Sequence, residues 1–452
     1  MLRGEKIHDW DLATNAIPEE VTAIARRAGG KVIPTGIKHG TVTVFYKKHS
    51  AEITTFRTES DYSDGRRPDQ IYYAAAIEED LSRRDFTMNA IALRLPKGEI
   101  VDPFSGEADI KAGIIRCVGN ADERFNEDGL RPMRAVRFAS QLGFNIEQGT
   151  LDAIPGSLKK AANVSWERVR DEIDKILASS PPFGKPSRGF LLMEKTGLLD
   201  LYLGELAVCR GVEQKGFHQF DVLDHLLYSC DYAAANNYSR ELRLASLFHD
   251  VGKPQVRNLE PLPRTLSGSS GAKTLCEYSP VDKSGGVQSV WTFYRHEETS
   301  AVICHKILNR LRYSGAIINN VCHLIKEHMF HYTDDWTDAA VRRFIARVGE
   351  SNLESLYRLR RADAYAFSGK EADLRSLMLL AKKVRRVLDS SRVFTVKDLA
   401  VSGTDLMAVG IEPGKIMGII LNELLETTLD DPQQNTREKL LEIAGKIYKE
   451  RI

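Results

Sequence analysis

Two strand-like runs separated by a short polar turn lie near the start of this chain of 452 residues. TVTVFY (41–46) and AEITTF (51–56) are rich in β-branched and aromatic residues, so KKHS between them predicts the turn of an antiparallel hairpin. The preceding PEEVTAIARRAGG (18–30) predicts a helix, because proline and acidic residues begin it and glycine ends it. The polar, turn-rich ESDYSDGRRPDQ (59–70) predicts a loop.

The hydrophobic period becomes helical from about residue 121. DERFNEDGLRPMRAVRFASQLGF (122–144) and WERVRDEIDKIL (166–177) have the spacing of amphipathic helices. SSPPFGKPSRG (179–189) predicts a linker, and almost everything after it reads as helix. The exception is the Gly- and Ser-rich stretch 261–291, which predicts a long insertion. The expected fold is an α+β head with a mixed or antiparallel sheet, followed by a long all-α body.

Charge and cysteine content narrow the class of protein. The formal net charge is +1, so any nucleic acid must be bound through local basic patches rather than bulk charge. Six cysteines stand at 117, 209, 230, 276, 304 and 322 without a C-x-x-C pair, which favours reduced thiols in a cytoplasmic protein. No apolar stretch is long enough to span a membrane, and no signal-peptide pattern is present. The length indicates two to four domains.

Asp9 and Asp11 lie one residue apart in HDWDLATNA. On a strand, such residues face the same side. Mg²⁺ prefers carboxylate oxygens and usually keeps positions open for substrate phosphates, so this pair predicts a magnesium site for phosphoryl transfer. Glu52, on the second strand of the expected hairpin, is a candidate third carboxylate. The alternative for the pair alone is two solvated acids.

LSRRDFTMNAIA (81–92) places Arg84, Asp85 and Asn89 close together. Arginine suits triphosphate oxygens, whereas aspartate and asparagine suit ribose hydroxyls. The alternative is a charged helix start capped by Thr87 or Asp85.

NEDGLRPMRAVRF (126–138) predicts one helix on which Asp128, Arg131 and Arg134 share a face at i, i+3 spacing. A carboxylate beside a guanidinium presents acceptors and donors that can pair with the edge of a nucleobase. A protein built in this way can select a nucleotide without a nucleic-acid template. A surface salt bridge is the alternative.

Six segments resemble, in their order along the chain, the motifs of class II tRNA nucleotidyltransferases. They are DWDLAT, EITTFR, YSDGRRP, RRDFTMNA, DPFSG, and EDxxR with RxxRF. These are the CCA-adding enzymes and bacterial poly(A) polymerases, whose head has a DNA polymerase β-like sheet. The resemblance covers roughly residues 1–180. It implies catalytic Mg²⁺ on Asp9 and Asp11. It also implies phosphate and ribose contacts from Arg84, Asp85 and Asn89, and selection of CTP and then ATP by Asp128 and Arg131.

The resemblance implies addition of C, C and A to tRNA 3′ ends, with release of pyrophosphate. Residues 58–70 would be the flexible loop that helps the site to switch from C to A, which argues against a relative that adds C alone. Three alternatives remain open: an A-adding enzyme or poly(A) polymerase, a phosphohydrolase with an impaired head, and an RNA-binding scaffold.

Family members carry a Gly-Gly turn and a V-R-D segment before the D-x-D strand, whereas MLRGEKIHDWD looks like the end of that region. Backbone amides of such a turn cradle a triphosphate. We therefore expect a misassigned start codon or a truncated sequence, with a disabled head as the alternative.

Histidine and aspartate recur through the helical body, and lone helical histidines are usually structural. Together, however, such residues bind transition metals and can meet inside a helix bundle. The series resembles the HD phosphohydrolase superfamily over 216–365. The resemblance assigns metal ligands to His225, His249, Asp250 and Asp363, and extra ligands of binuclear members to His296 and His328. In the family, such domains sometimes hydrolyse phosphoesters or 2′,3′-cyclic phosphates, and others are scaffolds.

The expected domain order has a head, a helical neck, linking helices, an HD domain and a tail, at 1–120, 121–180, 181–215, 216–365 and 366–452. The tail resembles that of bacterial class II enzymes. AKKVRRVLDSSR (381–392) is its most basic stretch and a candidate for contacts with tRNA phosphates. The sequence does not indicate an oligomeric state.

Overall fold

The computed structural model describes most of the chain, at residues 10–37, 40–60, 70–214, 219–261, 289–390 and 393–451. The chain divides into two compact units. Unit 1 comprises residues 1–210, 234–240 and 307–313, and unit 2 comprises residues 211–233, 241–306 and 314–452. No helix in the described stretches is both long enough and apolar enough to cross a membrane.

Unit 1 contains short strands and ten helices within the described residues. Its strands are β1 (Asp11–Thr14), β2 (Lys31–Gly36), β3 (Thr41–Tyr46), β4 (His49–Thr55), β5 (Arg57–Ser60), β6 (Gln70–Tyr73), β7 (Ala92–Arg94), β8 (Glu99–Val101), β9 (Ile114–Ile115) and β10 (Asn145–Ile146). Its helices are α1 (Pro18–Arg27), α2 (Ile77–Ser82), α3 (Gly106–Ala112), α4 (Ala121–Glu127), α5 (Arg131–Leu142), α6 (Gln148–Asp152), α7 (Leu158–Ala161), α8 (Trp166–Leu177), α9 (Pro186–Thr196) and α10 (Leu198–Ala207).

Where the structure describes unit 2, it is helical apart from one strand pair, β11 (Asn258–Pro261) and β12 (Ser289–Thr292). The remaining helices are α11 (Val222–Ala235), α12 (Arg240–Phe248), α13 (Lys253–Val256), α14 (His296–Arg310), α15 (Gly315–Glu327), α16 (Asp338–Val348), α17 (Leu353–Ala366), α18 (Arg375–Ser390), α19 (Gly403–Ala408), α20 (Lys415–Asp430) and α21 (Arg437–Arg451). The parts of α11, α12 and α14 within 234–240 and 307–313 belong to unit 1.

The main sheet has the strand order β1-β4-β3-β2. Strand β1 is parallel to β4, whereas β3 is antiparallel to both β4 and β2. The predicted hairpin (β3–β4) and the helix before it (α1) are confirmed, as is a mixed sheet followed by a helical body. Helix α1 buries Pro18 and Val21, and Val42 of β3 is fully buried.

The predicted loop at 59–70 is shorter than expected, because its two ends form strands. Glu59 pairs with Ile71 and Ser60 with Gln70 in the antiparallel β5–β6 ladder. The neighbouring Thr58 and Tyr72 favour extended backbone and continue that ladder. Residues 61–69 lie outside the described residues.

The prediction of one helix across 126–138 is wrong, because α4 ends at Glu127 and α5 begins at Arg131. Asp128 has extended backbone, with φ −131° and ψ 109°. Pro132 stands in the first turn of α5, where proline favours the start of a helix. A Cβ on Gly129 would lie 2.6 Å from the carbonyl oxygen of Lys160, so close packing also requires glycine there. Asp128 and Arg131 are therefore not neighbours on one helix.

The prediction of a linker at 179–189 is also wrong, because this stretch packs tightly within unit 1. A Cβ on Gly184 would lie 2.1 Å from the carbonyl oxygen of Ser140. The hydroxyl groups of Ser140 and Ser179 are buried and 2.9 Å apart. Proline and glycine here allow close approach of the backbone, and the stretch lies within unit 1.

Candidate functional site

Asp11 and Glu52 are neighbours on adjacent strands of the main sheet. Asp11 of β1 is in register with Glu52 of β4, and parallel neighbours in register face the same side about 4.8 Å apart. Both side chains are exposed. Neither has a hydrogen bond or ion pair with the residues that the structure describes, so their oxygens fit a hard divalent cation such as Mg²⁺. Asp9 lies outside the described residues.

Asp85 is buried and joins three other groups. Its Oδ1 accepts hydrogen bonds from the backbone N–H of Phe86 and from Nδ2 of Asn89, each at 2.9 Å. Its Oδ2 accepts from Nε of Arg134 at 2.7 Å. Burial acts to lower the pKa of Arg134, but the charge and hydrogen bond of Asp85 reverse this and leave that pKa above its usual value. Asp85 thus fixes Asn89 and Arg134 in place.

Arg84 keeps an unpaired donor beside this cluster. Its Nη2 lies 3.4 Å from Oδ2 of Asp80, whereas Arg83 contacts the other oxygen of Asp80 at 2.7 Å. The side chain of Arg84 is 39% exposed, and its Nε has no hydrogen-bond partner among the described residues. The sequence analysis missed Asp80, although an acid three and four residues before two arginines is a helical pairing signal.

Arg131 is held by protein groups along one edge of its guanidinium. Its Nη1 donates to Oε2 of Glu127 at 2.6 Å and to the carbonyl oxygen of Arg124 at 3.0 Å. Its Nη2 donates to the carbonyl oxygen of Arg83 at 3.0 Å. Since arginine has five N–H groups, two remain without a partner in the described part of the chain.

Asp128 has a different partner from the expected one. Its Oδ1 accepts from the backbone N–H of Leu130 at 3.0 Å, and its Oδ2 accepts from Nη2 of Arg168 at 2.7 Å. A carboxylate has about four lone-pair sites, so each oxygen can accept one more hydrogen bond. The sequence analysis missed Arg168, which stands 40 residues away in the chain.

A buried ion pair joins the helices that carry these residues. Nε of Arg137 on α5 donates to Oε2 of Glu172 on α8 at 2.6 Å, and the two side chains are 10% and 3% exposed. The guanidinium also lies 3.6 Å from the ring centroid of Phe138. The ion pair between Arg137 and Glu172 fixes α5 against α8 within unit 1.

In unit 2, the structure brings together all six residues that the sequence analysis selected there. They form two groups of ligand atoms, each within 4.8 Å: His225, His249, Asp250 and Asp363, and Asp250, His296 and His328. All six are between 0 and 6% exposed. Asp250 belongs to both groups, so the cluster can hold two ions that share this carboxylate.

The histidine rings are oriented for metal binding. Nδ1 of His249, His296 and His328 each faces a backbone carbonyl oxygen at 2.6–2.9 Å. A carbonyl oxygen only accepts, so these Nδ1 atoms carry the proton and each Nε2 is free to bind a cation. Nε2 of His296 and Oδ1 of Asp250 lie 3.0 Å apart, but both lack a well-aligned hydrogen-bond partner among the described residues. Such orphaned buried atoms fit a metal centre.

Four of the six side chains have pKa shifts that favour the form in which metal ligands bind, which is a neutral imidazole or an ionised carboxylate. Burial lowers the pKa of His225 and His328. Burial acts to raise the pKa of Asp250, but Lys253 at 2.5 Å and the nearby histidines hold it well below its usual range. Asp363 has an equally lowered pKa, because hydrogen bonds from histidines and the charge of an arginine at 2.7 Å outweigh its burial.

Three stretches of the chain match known protein families. Residues 1–116 match the poly A polymerase head domain, residues 143–209 the RNA and SrmB-binding site of polymerase A, and residues 287–444 the tRNA nucleotidyltransferase domain 2.

Relatives and a solved structure extend this similarity over the whole chain. The CCA-adding enzyme of Ligilactobacillus salivarius is 30% identical over 457 residues, which cover 100% of this chain and 91% of that enzyme. The enzyme of Lactiplantibacillus plantarum is 50% identical over 179 residues, which cover 40% of this chain and 43% of that enzyme. The crystal structure of the Bacillus stearothermophilus CCA-adding enzyme in complex with CTP matches with a TM-score of 0.68 and 28% identity, covering 100% of this chain and 91% of that one.

Proposed function

The chain belongs to the CCA-adding enzyme family of nucleotidyltransferases, and we propose that it adds C, C and A to tRNA 3′ ends from CTP and ATP. The observation that carries this proposal is the set of charged residues in unit 1. Protein-templated nucleotide addition requires three kinds of group, and unit 1 offers each of them. They are paired carboxylates on the sheet, an arginine with free donors, and the hydrogen-bonding groups of Asp128 and Arg131 that can pair with a base.

Asp11 and Glu52, with Asp9, would hold the divalent ion, which we propose is Mg²⁺. Such an ion supplies activation of the attacking 3′ hydroxyl and neutralises charge on the phosphates. The unpaired donors of Arg84 suit the triphosphate, and the amide of Asn89 suits a ribose hydroxyl. Asp85 would act indirectly, because its oxygens already hold Asn89 and Arg134.

Base selection follows from the remaining hydrogen-bonding capacity of two side chains. The free lone pairs of Asp128 accept from the amino group that cytosine and adenine share. The free N–H groups of Arg131 donate to the neighbouring ring nitrogen, N3 of cytosine or N1 of adenine. Uracil and guanine present a carbonyl oxygen and an N–H at these positions, so each would leave buried groups unpaired.

The first experiment is nucleotide addition to two tRNA substrates, one that ends at the discriminator base and one that ends in CC. With labelled CTP or ATP and Mg²⁺, we expect CTP to be added to the first and ATP to the second. Addition of ATP alone to the CC end would identify an A-adding enzyme. Repeated ATP addition would identify a poly(A) polymerase, and absence of both activities would contradict the proposal.

A second function is favoured by the buried cluster of unit 2, which fits a binuclear metal centre within the proposed HD domain (216–365). We propose that it holds transition-metal ions and hydrolyses phosphoesters, with 2′,3′-cyclic phosphates as the first substrates to test. Its residues supply neutral imidazoles and ionised carboxylates. The ions would supply a hydroxide nucleophile at neutral pH.

The shared carboxylate gives a sharp test of this second function. Elemental analysis of the purified protein should find up to two metal ions per chain. Asp250→Asn should remove both ions and any hydrolysis, whereas nucleotide addition should persist. His323→Gln is a matched control, because this ring binds the carbonyl oxygen of Val348 outside the cluster. Loss of a single ion in Asp250→Asn would contradict the shared ligand.

We also propose that α18 in the tail (366–452) contacts tRNA phosphates. Lys383 contacts the carbonyl oxygen of Trp336, and Arg386 lies 2.6 Å from Asp338. By contrast, Lys382 and Arg385 have no hydrogen bond or ion pair with the described residues, and both line a groove beside α17. Two unpaired cations at i, i+3 spacing suit a phosphate backbone.

The two kinds of cation on α18 allow a matched comparison of tRNA affinity. The double variant Lys382→Gln with Arg385→Gln should lower the slope of log affinity against log salt by roughly 1–2 units. Lys383→Gln with Arg386→Gln removes the same charge but should change the slope less. Equal effects would contradict the proposed contact.

Thiols that form no disulfide support a cytoplasmic location. In the described part of the chain, no disulfide joins any of Cys117, Cys209, Cys230, Cys304 and Cys322. We propose this location together with the tRNA substrate, and localisation of a tagged chain in cells would test it.

A further inference from the structure

We propose that Arg168 is a positioning residue for base selection, which orients the carboxylate of Asp128 towards the incoming base. This inference rests on the proposed nucleotide addition. The side chains of Arg168 and Asp128 meet at 2.7 Å and are 21% and 17% exposed. The contact therefore lies where a ligand can still reach the carboxylate.

Asp128 needs an external support because its backbone does not supply one. The residue follows α4 in an extended conformation, outside either helix. One hydrogen bond, from the N–H of Leu130 to Oδ1, leaves the other oxygen free to rotate. The bond from Arg168 to Oδ2 fixes that second oxygen and hence the plane of the carboxylate. Each oxygen retains a lone pair for the base.

Arg168 stands on a rigid support. It lies in the first turn of α8, next to the fully buried Val169. The chain just before α8 is fixed in turn, since the hydroxyl of Tyr202 donates to the carbonyl oxygen of Ala161 at 2.7 Å. Gly129, beside Asp128, packs against the same segment at Lys160. Donor and acceptor are therefore held in one frame, which is the arrangement that preorganises a binding group.

Exposure separates this ion pair from the purely structural one nearby. Arg137 and Glu172 are almost completely buried, whereas Arg168 and Asp128 are partly solvated, and ion pairs of that kind contribute little to folding. The bond is also single, through Nη2 alone, rather than bidentate.

The test compares three variants in single-nucleotide addition with CTP, ATP, UTP and GTP. Arg168→Met removes the guanidinium, and Arg168→Lys keeps the charge. Arg170→Met is the matched control, because it removes a guanidinium two residues along α8 that contacts Asp171 and the carbonyl oxygen of Arg312.

For Arg168→Met, we expect kcat/KM for CTP and ATP to fall by about tenfold to a hundredfold, mainly through KM. Discrimination against UTP and GTP should fall by a similar factor, with tRNA affinity and melting temperature unchanged. Arg168→Lys should recover part of the loss, and Arg170→Met should resemble the wild type.

Unchanged fidelity in Arg168→Met, in a wild-type protein that does add CCA, would overturn this inference alone. A lower melting temperature with equal losses for all four nucleotides would also overturn it, because that pattern indicates a structural role. A wild-type chain that adds no nucleotide would overturn the proposed function first, and the inference with it.

Discussion

In unit 1, Asp128 and Arg131 each have at least two protein partners and still keep acceptors or donors for a ligand. In unit 2, the six clustered side chains are almost fully buried, and atoms of Asp250 and His296 have no hydrogen-bond partner among the described residues. Buried polar atoms are normally satisfied, so the second arrangement fits a small cation among the side chains. The first is a preformed surface that a large polar ligand can lie against.

The largest expected effect would separate the chemistry of the two units. Asp11→Asn removes one negative charge from the sheet and keeps the size of the side chain. We expect nucleotide addition to fall by about a thousandfold, or roughly 4 kcal/mol of transition-state stabilisation. Addition is measured with labelled CTP and ATP. The metal content of unit 2 and the tRNA affinity should be unchanged, and retained addition would contradict a catalytic role for this carboxylate.

The next largest expected effect is on the stability of unit 1, through the buried ion pair between Arg137 and Glu172. Glu172→Ala leaves the buried guanidinium of Arg137 without its partner, so the free energy of unfolding of unit 1 should fall by about 3–5 kcal/mol. Hydrogen-exchange protection of α5 and α8 measures this change.

The double variant Arg137→Met with Glu172→Met is the control for that loss. It replaces the ion pair with apolar side chains of similar length, and it should recover most of the protection. Protection of α17 in unit 2 should remain as in the wild type. A loss in both units would show that they do not unfold independently.

The smallest effect is on the acid stability of metal-free unit 2. Burial lowers the pKa of His225 and His328 below the ordinary value of 6.5, so the unfolded chain binds these protons more readily. Stability from these two groups is therefore lost as pH falls below 6.5. The pKa of His249 is raised despite burial, because Asp250 and Asp363 favour its charged form. Its contribution to stability therefore has the opposite sign and offsets that of one of the two other histidines. We expect a lower melting temperature at pH 5 than at pH 7.5, by roughly 2–4 °C for each kcal/mol lost.

The carboxylates of the cluster do not affect that comparison. Because their pKa values are lowered, Asp250 and Asp363 reduce stability only when the pH falls below 3.8, the ordinary pKa of aspartate. His328→Gln should make the pH dependence shallower, as should saturating metal. An equal melting temperature at both pH values would contradict neutral buried histidines.

Local patterns were enough to predict the hairpin β3–β4, helix α1 and helix α8. Their signals lie within a few residues of one another, in alternation, proline placement and helical spacing. The six side chains that meet in unit 2 were also selected from sequence, because their types and order resemble a known superfamily. No physical reasoning on spacing alone would have brought together residues as distant as His225 and Asp363.

The errors share one cause, which is packing between distant segments. The break after Glu127 depends on Gly129 fitting against Lys160, and the packed stretch 179–189 depends on the backbone of Ser140. Arg168 escaped notice for the same reason, since its partner is 40 residues away. Glycine and proline in the sequence marked both places, but whether they permit motion or close contact is decided by neighbours that the sequence does not reveal.

The antiparallel pairing of β11 with β12 has a consequence for how this chain tolerates change in length. Asn258 pairs with Thr292 and Pro261 with Ser289, so the two residues that flank 262–288 lie opposite each other. The entropy of holding two such residues together grows only with the logarithm of the number of residues between them. Residues can therefore be inserted or deleted there at small cost, while His296, four residues beyond β12, keeps its place. This position is where a reporter domain or affinity tag can be inserted with the smallest effect on the metal cluster.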